Sequence, residues 1–159
     1  MATVFLGIGS NQGDRLAHLS EALRILADSS TIHLIQLAPV YETKAVGGPV
    51  QDDFVNTVVE AETSLSPHEL LRVLKDIEHR MGRLQEAPRW GPRPIDLDIL
   101  LYNNLVLHEP QLTIPHAEMH HRRFVLEPLA QLAPALVHPV LRRSIAELFE
   151  SLPAENENP

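Results

Sequence analysis

The chain contains no cysteine, which excludes disulfide bonds, thiolate zinc sites and cysteine nucleophiles. Aromatic residues are scarce at 4%, and lysine occurs only as Lys44 and Lys75, so every other cationic side chain is an arginine. No apolar run approaches the roughly 20 residues that span a bilayer, and the first residues lack the basic segment of a signal peptide. We therefore expect a soluble cytoplasmic protein, and the absence of cysteine suits that reducing compartment.

The charge is unevenly distributed along the 159 residues. A net charge of −8 argues against broad binding to nucleic acid or to an anionic membrane. The arginines gather at 80–93 and 122–123, and because guanidinium groups match phosphate oxygens, these stretches favour a small phosphorylated ligand. The alternative is solvated surface charge. We expect one domain at 1–153 with a frayed tail at 154–159, and a monomer, since no heptad repeat is visible.

Apolar periodicity predicts an ordered series of strands and helices. Strands are predicted at 3–8, 33–41, 54–63 and 95–102. One helix is predicted to begin after Asp14, and a second after Ser66, where Glu69 completes a capping box. Short strands at 105–107 and 112–114 and helices at 124–132 and 144–152 follow. The order β-α-β-β-α-β predicts an α+β fold, a ferredoxin-like antiparallel sheet with helices packed on it and extra C-terminal elements.

The same spacing predicts which side chains form the core. They are Leu16, Leu19, Leu23 and Leu26 in the first helix, Ile35, Leu37 and Pro39 on one side of the second strand, Leu70, Leu74, Ile77 and Met81 in the second helix, and Leu97, Ile99 and Leu101 in the fourth strand. Two long segments without periodicity, 43–53 and 83–92, precede strands, and loops of this length are usually functional or disordered.

Two aspartates stand two residues apart in the fourth predicted strand. Asp96 and Asp98 therefore leave the same face. Because aspartate is disfavoured in strands, this pair favours a bound cation, and Mg²⁺ prefers one or two carboxylates together with waters and phosphates. The alternative is the polar face of an edge strand. The neighbouring Arg89, Trp90 and Arg93 favour a site for a nucleoside triphosphate.

Several other residues could contact a ligand. Phe54, Trp90 and Phe124 could enclose a flat heterocycle, and Asn56 offers both a donor and an acceptor to a ring edge. Core packing is the alternative for each aromatic ring taken singly. Glu78 could lie at the surface or meet a nucleotide. The turn at 9–14 could hold an anion before a helix, although it lacks the lysine of a Walker loop.

Residues 89–100, RWGPRPIDLDIL, resemble the signature of the 6-hydroxymethyl-7,8-dihydropterin pyrophosphokinases, enzymes of folate biosynthesis. Short stretches elsewhere fall in the order of that family: IGSN at 8–11, YET at 41–43, FVN at 54–56, IE at 77–78 and IPH at 114–116. The resemblance implies a Mg²⁺-dependent enzyme that transfers diphosphate from ATP, its co-substrate, to the hydroxymethyl group of the pterin and releases AMP. Two magnesium ions are implied.

The resemblance also implies roles for individual residues. Catalytic roles are implied for Arg83, Arg93, Asp96 and Asp98, and the two aspartates would hold the metal ions. ATP contacts are implied for Lys75, Glu78, Arg93, Ile99, Thr113, His116 and Arg122. Pterin contacts are implied for Thr43, Ala45, Val46, Phe54, Asn56, Trp90, Asp96 and Phe124.

Two alternative functions stay open at this point. One is a metal-dependent phosphohydrolase that uses the same aspartates with water as the acceptor. The other is a non-catalytic nucleotide-binding module. The expected partners are ATP and the pterin, without nucleic acid or membrane. His116, His120 and His121 lack a matched further ligand, so we expect no zinc there.

Overall fold

The computed structural model describes residues 1–43, 54–82 and 94–153. The strands are β1 (Ala2–Ser10), β2 (Ile32–Leu37), β3 (Tyr41–Thr43), β4 (Phe54–Thr63), β5 (Asp96–Tyr102), β6 (Leu107–Glu109) and β7 (Leu112–Ile114). The helices are α1 (Arg15–Ala27), α2 (Pro67–Gly82), a 3₁₀ turn (Met119–His121), α3 (Arg123–Leu132) and α4 (Ile145–Glu150). No described helix is both long enough and apolar enough to cross a bilayer.

The main sheet has the strand order β2-β4-β1-β5, with β3 beside β4, and every pairing is antiparallel. Helix α1 connects β1 to β2 and leaves room for β4 between them, while α2 connects β4 to β5 across β1. This arrangement confirms the ferredoxin-like βαββαβ prediction. A separate pair, β6-β7, follows the sheet.

Hydrophobic side chains cover the two sheet faces in separate clusters. The first cluster buries alternate residues of β1 (Val4, Leu6 and Ile8) under α1 and α2. The second cluster lies on the opposite face, where Phe5, Val58 and Leu100 pack against α3 and α4. Polar residues of β4 and β5 share this face with the second cluster.

Capping residues set the starts of both long helices, as predicted. The Asp14 carboxylate accepts from the Ala17 N–H at 3.1 Å, so α1 begins directly after it. At the start of α2, the Ser66 hydroxyl accepts from the Glu69 N–H at 3.2 Å, and the Glu69 carboxylate accepts from the Ser66 N–H at 2.9 Å. These reciprocal bonds satisfy amide groups that a helix leaves without partners in its first turn.

The predicted strand at 33–41 is wrong as a single element, because it is divided between β2 and β3. Pro39 has no N–H for the ladder and interrupts the strand. The Ala38 N–H still donates to the Val58 carbonyl at 3.0 Å, so the chain stays against β4. The predicted core positions Ile35 and Leu37 are 47% and 51% exposed, since β2 is an edge strand with an irregular register between Leu34 and Gln36.

Two single residues differ from the predicted pattern. Leu16 is 59% exposed, and Ala22 is buried on the core face of α1 together with Leu19 and Leu26. Leu101 is buried in the core as predicted, but it packs in the second cluster rather than beside Ile99 in the first. A register shift against Phe5 and Leu6 of β1 adds one residue to β5, which turns Leu101 to the opposite face.

The C-terminal elements differ from prediction only at their ends. The short strand predicted at 105–107 is found as β6, two residues later, while the strand predicted at 112–114 matches β7. Helices α3 and α4 each lie within one or two residues of their predicted bounds. The predicted tail at 154–159 lies outside the described residues.

Candidate active site

Three central strands place polar side chains in one row across the sheet, on the face that also carries the second cluster. Gly9 of β1 is opposite Asn56 of β4 on one side and opposite Asp96 of β5 on the other. Two residues along, Gly7 is opposite Asp98. Because side chains alternate along strands, Asn56, Asp96 and Asp98 share a face. The two glycines leave a floor of bare backbone between them.

Gly9 has a specific steric reason to lack a side chain. A Cβ built there would lie 2.6 Å from the Asn56 side-chain oxygen, closer than real Cβ atoms approach. The carboxamide of Asn56 therefore occupies the space directly above Gly9, and Asn56 is 7% exposed. Gly9 lies inside β1 and not in the predicted turn at 9–14. A glycine inside a strand often marks a close approach of another group, and this signal indicates the role of Gly9.

Asp96 and Asp98 are half-buried and project from β5 on either side of Leu97. Leu97 is 1% exposed and anchored in the first cluster, so it fixes the backbone between them. Within the parts of the chain that the structure describes, no three His, Cys, Asp or Glu side chains converge as a metal site. Two carboxylates with no third protein ligand among the described residues fit an ion that takes its other oxygens from water and phosphate, as Mg²⁺ does.

The outer edge of β5 contacts α2 through a side chain. The Leu97 N–H donates to Glu78 Oε2 at 2.7 Å, and Lys75 Nζ donates to Glu78 Oε1 at 3.2 Å. The Glu78 side chain is 15% exposed, whereas that of Lys75 is 57% exposed. The resemblance implies an ATP contact for Glu78, but its carboxylate is directed to the strand backbone.

The side chain of Ile99 is 4% exposed and belongs to the first cluster, on the face opposite the aspartates. The implied adenine contact is therefore not available to this side chain from the aspartate face. Because the Leu97 N–H points away from β1, the alternation of an antiparallel ladder directs the N–H and C=O of Ile99 outward as well. A nucleotide contact by Ile99 would use these backbone groups.

His116 lies between β5 and the 3₁₀ turn. Its N–H donates to the Leu100 carbonyl at 3.0 Å, and its Nδ1 accepts from the Glu118 N–H at 3.1 Å. Burial lowers the pKa of His116, the Asp98 carboxylate raises it, and the Arg122 guanidinium lowers it again. Asp98 and Arg122 therefore each lie within electrostatic reach of His116.

Phe124 lies at the start of α3. The guanidinium of Arg122 lies over the Phe124 ring, 5.5 Å from the ring centroid. Phe124 is half-buried against the second cluster. On the sheet, Phe54 is half-buried and lies on the same side of β4 as Asn56, since the two are separated by one residue. One aromatic ring thus lies on the sheet and the other on the helix that packs against it.

The matched family model is that of 7,8-dihydro-6-hydroxymethylpterin-pyrophosphokinase (HPPK), and it covers residues 5–134. The chain belongs to this family. An HPPK named 2-amino-4-hydroxy-6-hydroxymethyldihydropteridine pyrophosphokinase from Aquifex aeolicus is 42% identical over 147 residues, 92% of this chain and 90% of that protein. The Haemophilus influenzae protein of the same name is 42% identical over 139 residues, 87% of this chain and 86% of its own.

Solved structures agree in fold. An HPPK-DHPS crystal structure from Plasmodium falciparum superposes with a TM-score of 0.72 at 19% identity, over 94% of this chain and 43% of that longer one. At this identity the likeness concerns the fold alone. The close relatives and the family model carry the function: ATP-dependent pyrophosphoryl transfer to hydroxymethyldihydropterin in folate biosynthesis.

Other residues that the resemblance assigns to an HPPK site lie elsewhere in the described strands or outside the described residues. Thr43 ends β3, with its backbone opposite Phe54. Thr113 lies in β7, opposite His108 and three residues before His116. Ala45, Val46, Arg83, Trp90 and Arg93 lie outside the described residues.

Proposed function

We propose that this HPPK performs its transfer with two magnesium ions held at Asp96 and Asp98. The observation that carries the proposal is the pair of half-buried carboxylates on one sheet face, with Gly7 and Gly9 opposite them. This donor set suits a hard cation that completes its shell with phosphate oxygens. Bound there, the metal ions would supply charge neutralisation at the phosphates.

The pterin is proposed to bind between Asn56 and the aspartates. Neighbouring strands are about 4.8 Å apart, so Asn56 and Asp96, two strands apart, leave roughly 9–10 Å between their backbones. The carboxamide of Asn56 offers a donor and an acceptor to the ring edge. Phe54 and Phe124 would cover the two ring faces. In this position the hydroxymethyl group would extend toward Asp96.

ATP is proposed to bind along the outer edge of β5, next to the metal pair. Support comes from His116, which interacts electrostatically with both Asp98 and Arg122. The outward backbone groups of Ile99 also support this position, because they suit the donor and acceptor of an adenine edge. The remaining assignments stay proposals by family resemblance: Lys75, Thr113, Arg83 and Arg93 toward ATP, and Thr43, Ala45, Val46 and Trp90 toward the pterin.

The chemistry needs positioning and charge stabilisation from the protein, not a covalent nucleophile. The hydroxymethyl oxygen attacks the β-phosphorus of ATP. The bond from the β-phosphorus to the oxygen that bridges it to the α-phosphorus breaks, AMP leaves with that oxygen, and the hydroxyl proton is lost. Arg122, with Arg83 and Arg93, would stabilise the charge spread over the phosphate oxygens.

Product analysis tests this proposal. The protein is incubated with ATP, Mg²⁺ and the hydroxymethyl dihydropterin, and the expected products are AMP and the pterin diphosphate. Omission of Mg²⁺ should abolish both products. ADP or inorganic phosphate without AMP would favour a metal-dependent phosphohydrolase, and nucleotide binding without turnover would favour a binding module.

We also propose that the chain acts as a cytoplasmic monomer without nucleic acid or membrane as a partner. The net charge of −8 supports the absence of nucleic acid and anionic membrane as partners, because polyanions repel an acidic protein. Light scattering coupled to size-exclusion chromatography should give the mass of one chain, with and without ATP. A mass of two chains would contradict the monomer.

A further inference from the structure

Leu97 is the residue of β5 that joins the two aspartates. It lies between Asp96 and Asp98, its side chain is 1% exposed, and its inner edge faces Ile8 of β1. Its N–H points to the outer edge of the sheet, where β5 has no further strand within the described part of the chain. A backbone donor at such an edge needs a partner other than a strand.

Helix α2 supplies that partner. Its core residues Leu74 and Ile77 face the sheet, which brings the adjacent Glu78 to the side of β5. Glu78 Oε2 accepts from the Leu97 N–H at 2.7 Å, a short distance typical of hydrogen bonds to a charged acceptor. The second oxygen is held by Lys75 at 3.2 Å, one helical turn earlier. The carboxylate is thus held from both sides.

We propose that Glu78 is a positioning residue for the aspartate pair. By holding the peptide group between Asp96 and Leu97, it fixes the orientation of β5 between the two residues that carry the carboxylates. This inference rests on the proposed role of the two aspartates as magnesium ligands. It differs from a direct ATP contact, because both carboxylate oxygens are already bonded, one to the strand and the other to Lys75. Groups that orient metal ligands in this way commonly affect metal affinity or activity by about 10- to 100-fold.

Two substitutions of similar length separate the possibilities. Glu78→Gln keeps an oxygen acceptor for the Leu97 N–H, whereas Glu78→Met removes it and retains most of the side-chain volume. Glu69→Ala is the matched stability control, because it removes the capping box at the other end of α2. Thermal unfolding of each variant shows whether the Met and Ala variants are comparably destabilised.

The first measurement needs no activity. Hydrogen exchange of the Leu97 amide, followed by NMR in the metal-free protein, should accelerate at least about tenfold in Glu78→Met, and more than any acceleration in Glu69→Ala. Mn²⁺ binding in the presence of a non-hydrolysable ATP analogue should weaken about tenfold in Glu78→Met. Glu78→Gln should stay within about threefold of the parent protein in both measurements, because the acceptor is retained.

The kinetic measurement distinguishes positioning from nucleotide contact. Glu78→Met should raise the Mg²⁺ concentration for half-maximal activity and lower kcat about 10- to 100-fold, with the KM for ATP nearly unchanged. An increase in the KM for ATP alone, or equal behaviour of Glu78→Met and Glu69→Ala, would overturn the inference. If the parent protein formed no AMP, the proposed function would fail, while the Leu97 exchange and Mn²⁺ measurements would still judge Glu78.

Discussion

The side-chain oxygen of Asn56 lies above Gly9, 2.6 Å from where a Cβ on Gly9 would stand. Substitution Gly9→Ala must therefore displace Asn56. If Asn56 reads the pterin edge, this displacement should raise the KM for the pterin at least about tenfold, since a shift of about 1 Å can cost a site up to about 100-fold. Steady-state kinetics with the pterin varied measures the effect.

Gly7 provides the matched control in the same strand. A Cβ there would meet Leu100 at 3.5 Å, an ordinary van der Waals distance. We expect Gly7→Ala to fold and to change the KM for the pterin much less than Gly9→Ala does. Equal effects of the two substitutions would mean that the Asn56 contact does not govern pterin binding.

The aspartate pair gives a prediction about metal dependence. Asp96→Asn and Asp98→Asn should each lower AMP formation about 1000-fold or more, because loss of a metal ligand removes several kcal/mol of charge stabilisation. Mg²⁺ should also cease to strengthen binding of a non-hydrolysable ATP analogue. Asp76→Asn, on the exposed side of α2, is the control. Unchanged, Mg²⁺-dependent binding by both site variants would contradict the metal assignment.

Arg122 and Arg123, at the start of α3, make different contacts, so substitutions at the two positions should have different effects. Arg122 lies over Phe124 near the site, and Arg123 lies over Phe149 and donates to the Pro153 carbonyl at 2.9 Å. Arg122→Met should raise the KM for ATP about tenfold, whereas Arg123→Met should lower the unfolding temperature and leave that KM nearly unchanged. The reverse pattern would mean that the nucleotide contacts the other side of the helix.

Phe124 should respond differently from Arg122. Phe124→Leu removes the aromatic face but keeps a side chain that fills the space against the second cluster. We expect a higher KM for the pterin and little change in the KM for ATP. Isothermal titration with a pterin analogue would check the same point without turnover. An effect confined to ATP would contradict the proposed stacking.

Two neighbouring histidines, the half-buried His120 and the buried His138, link stability to pH. Burial lowers the pKa of both His120 and His138. His121 lowers the pKa of His120 further, and His120 lowers that of His138 further. Glu118 raises the pKa of His120. Because the folded protein binds fewer protons, this contribution to stability is complete above the ordinary pKa of about 6.5 and is lost as the pH falls below it.

The substitution His138→Asn tests this linkage. Nδ1 of His138 accepts from the Val140 and Leu141 N–H groups at 3.2 and 3.1 Å, and an asparagine oxygen can replace that acceptor without titrating. Urea unfolding at pH values from about 7 to 5, above the ordinary range of carboxyl groups, should show a shallower loss of stability in the variant. Identical slopes in the two proteins would refute the assignment to His138.

Local signals in the sequence predicted much of the fold. The capping residues Asp14 and Ser66 predict where the two long helices begin, and the predicted bounds of β4 match those observed. The errors lie where pairing rather than local pattern decides. The extra residue in β5 turns Leu101 over only because β1 is its neighbour, and Ile35 is exposed because β2 is at the edge.

The candidate site was predictable to a similar degree. The spacing of Asp96 and Asp98 alone predicts that they share a face, and the structure places Asn56 in the same row. The roles of Gly9 and Glu78 could not be predicted, because each depends on a residue far away in the sequence: Asn56 for Gly9 and Leu97 for Glu78. The metal ions and the residue contacts to ATP and pterin remain predictions.

Mg²⁺-dependent pyrophosphoryl transfer at the aspartate pair is tested most directly by quantifying its products. The purified protein is mixed with ATP, Mg²⁺ and 6-hydroxymethyl-7,8-dihydropterin, and the nucleotides and pterins are separated and quantified over time. We expect equal amounts of AMP and pterin diphosphate, and both products should be lost without Mg²⁺ or in Asp96→Asn. ADP or phosphate in place of AMP, or turnover that persists in Asp96→Asn, would contradict it.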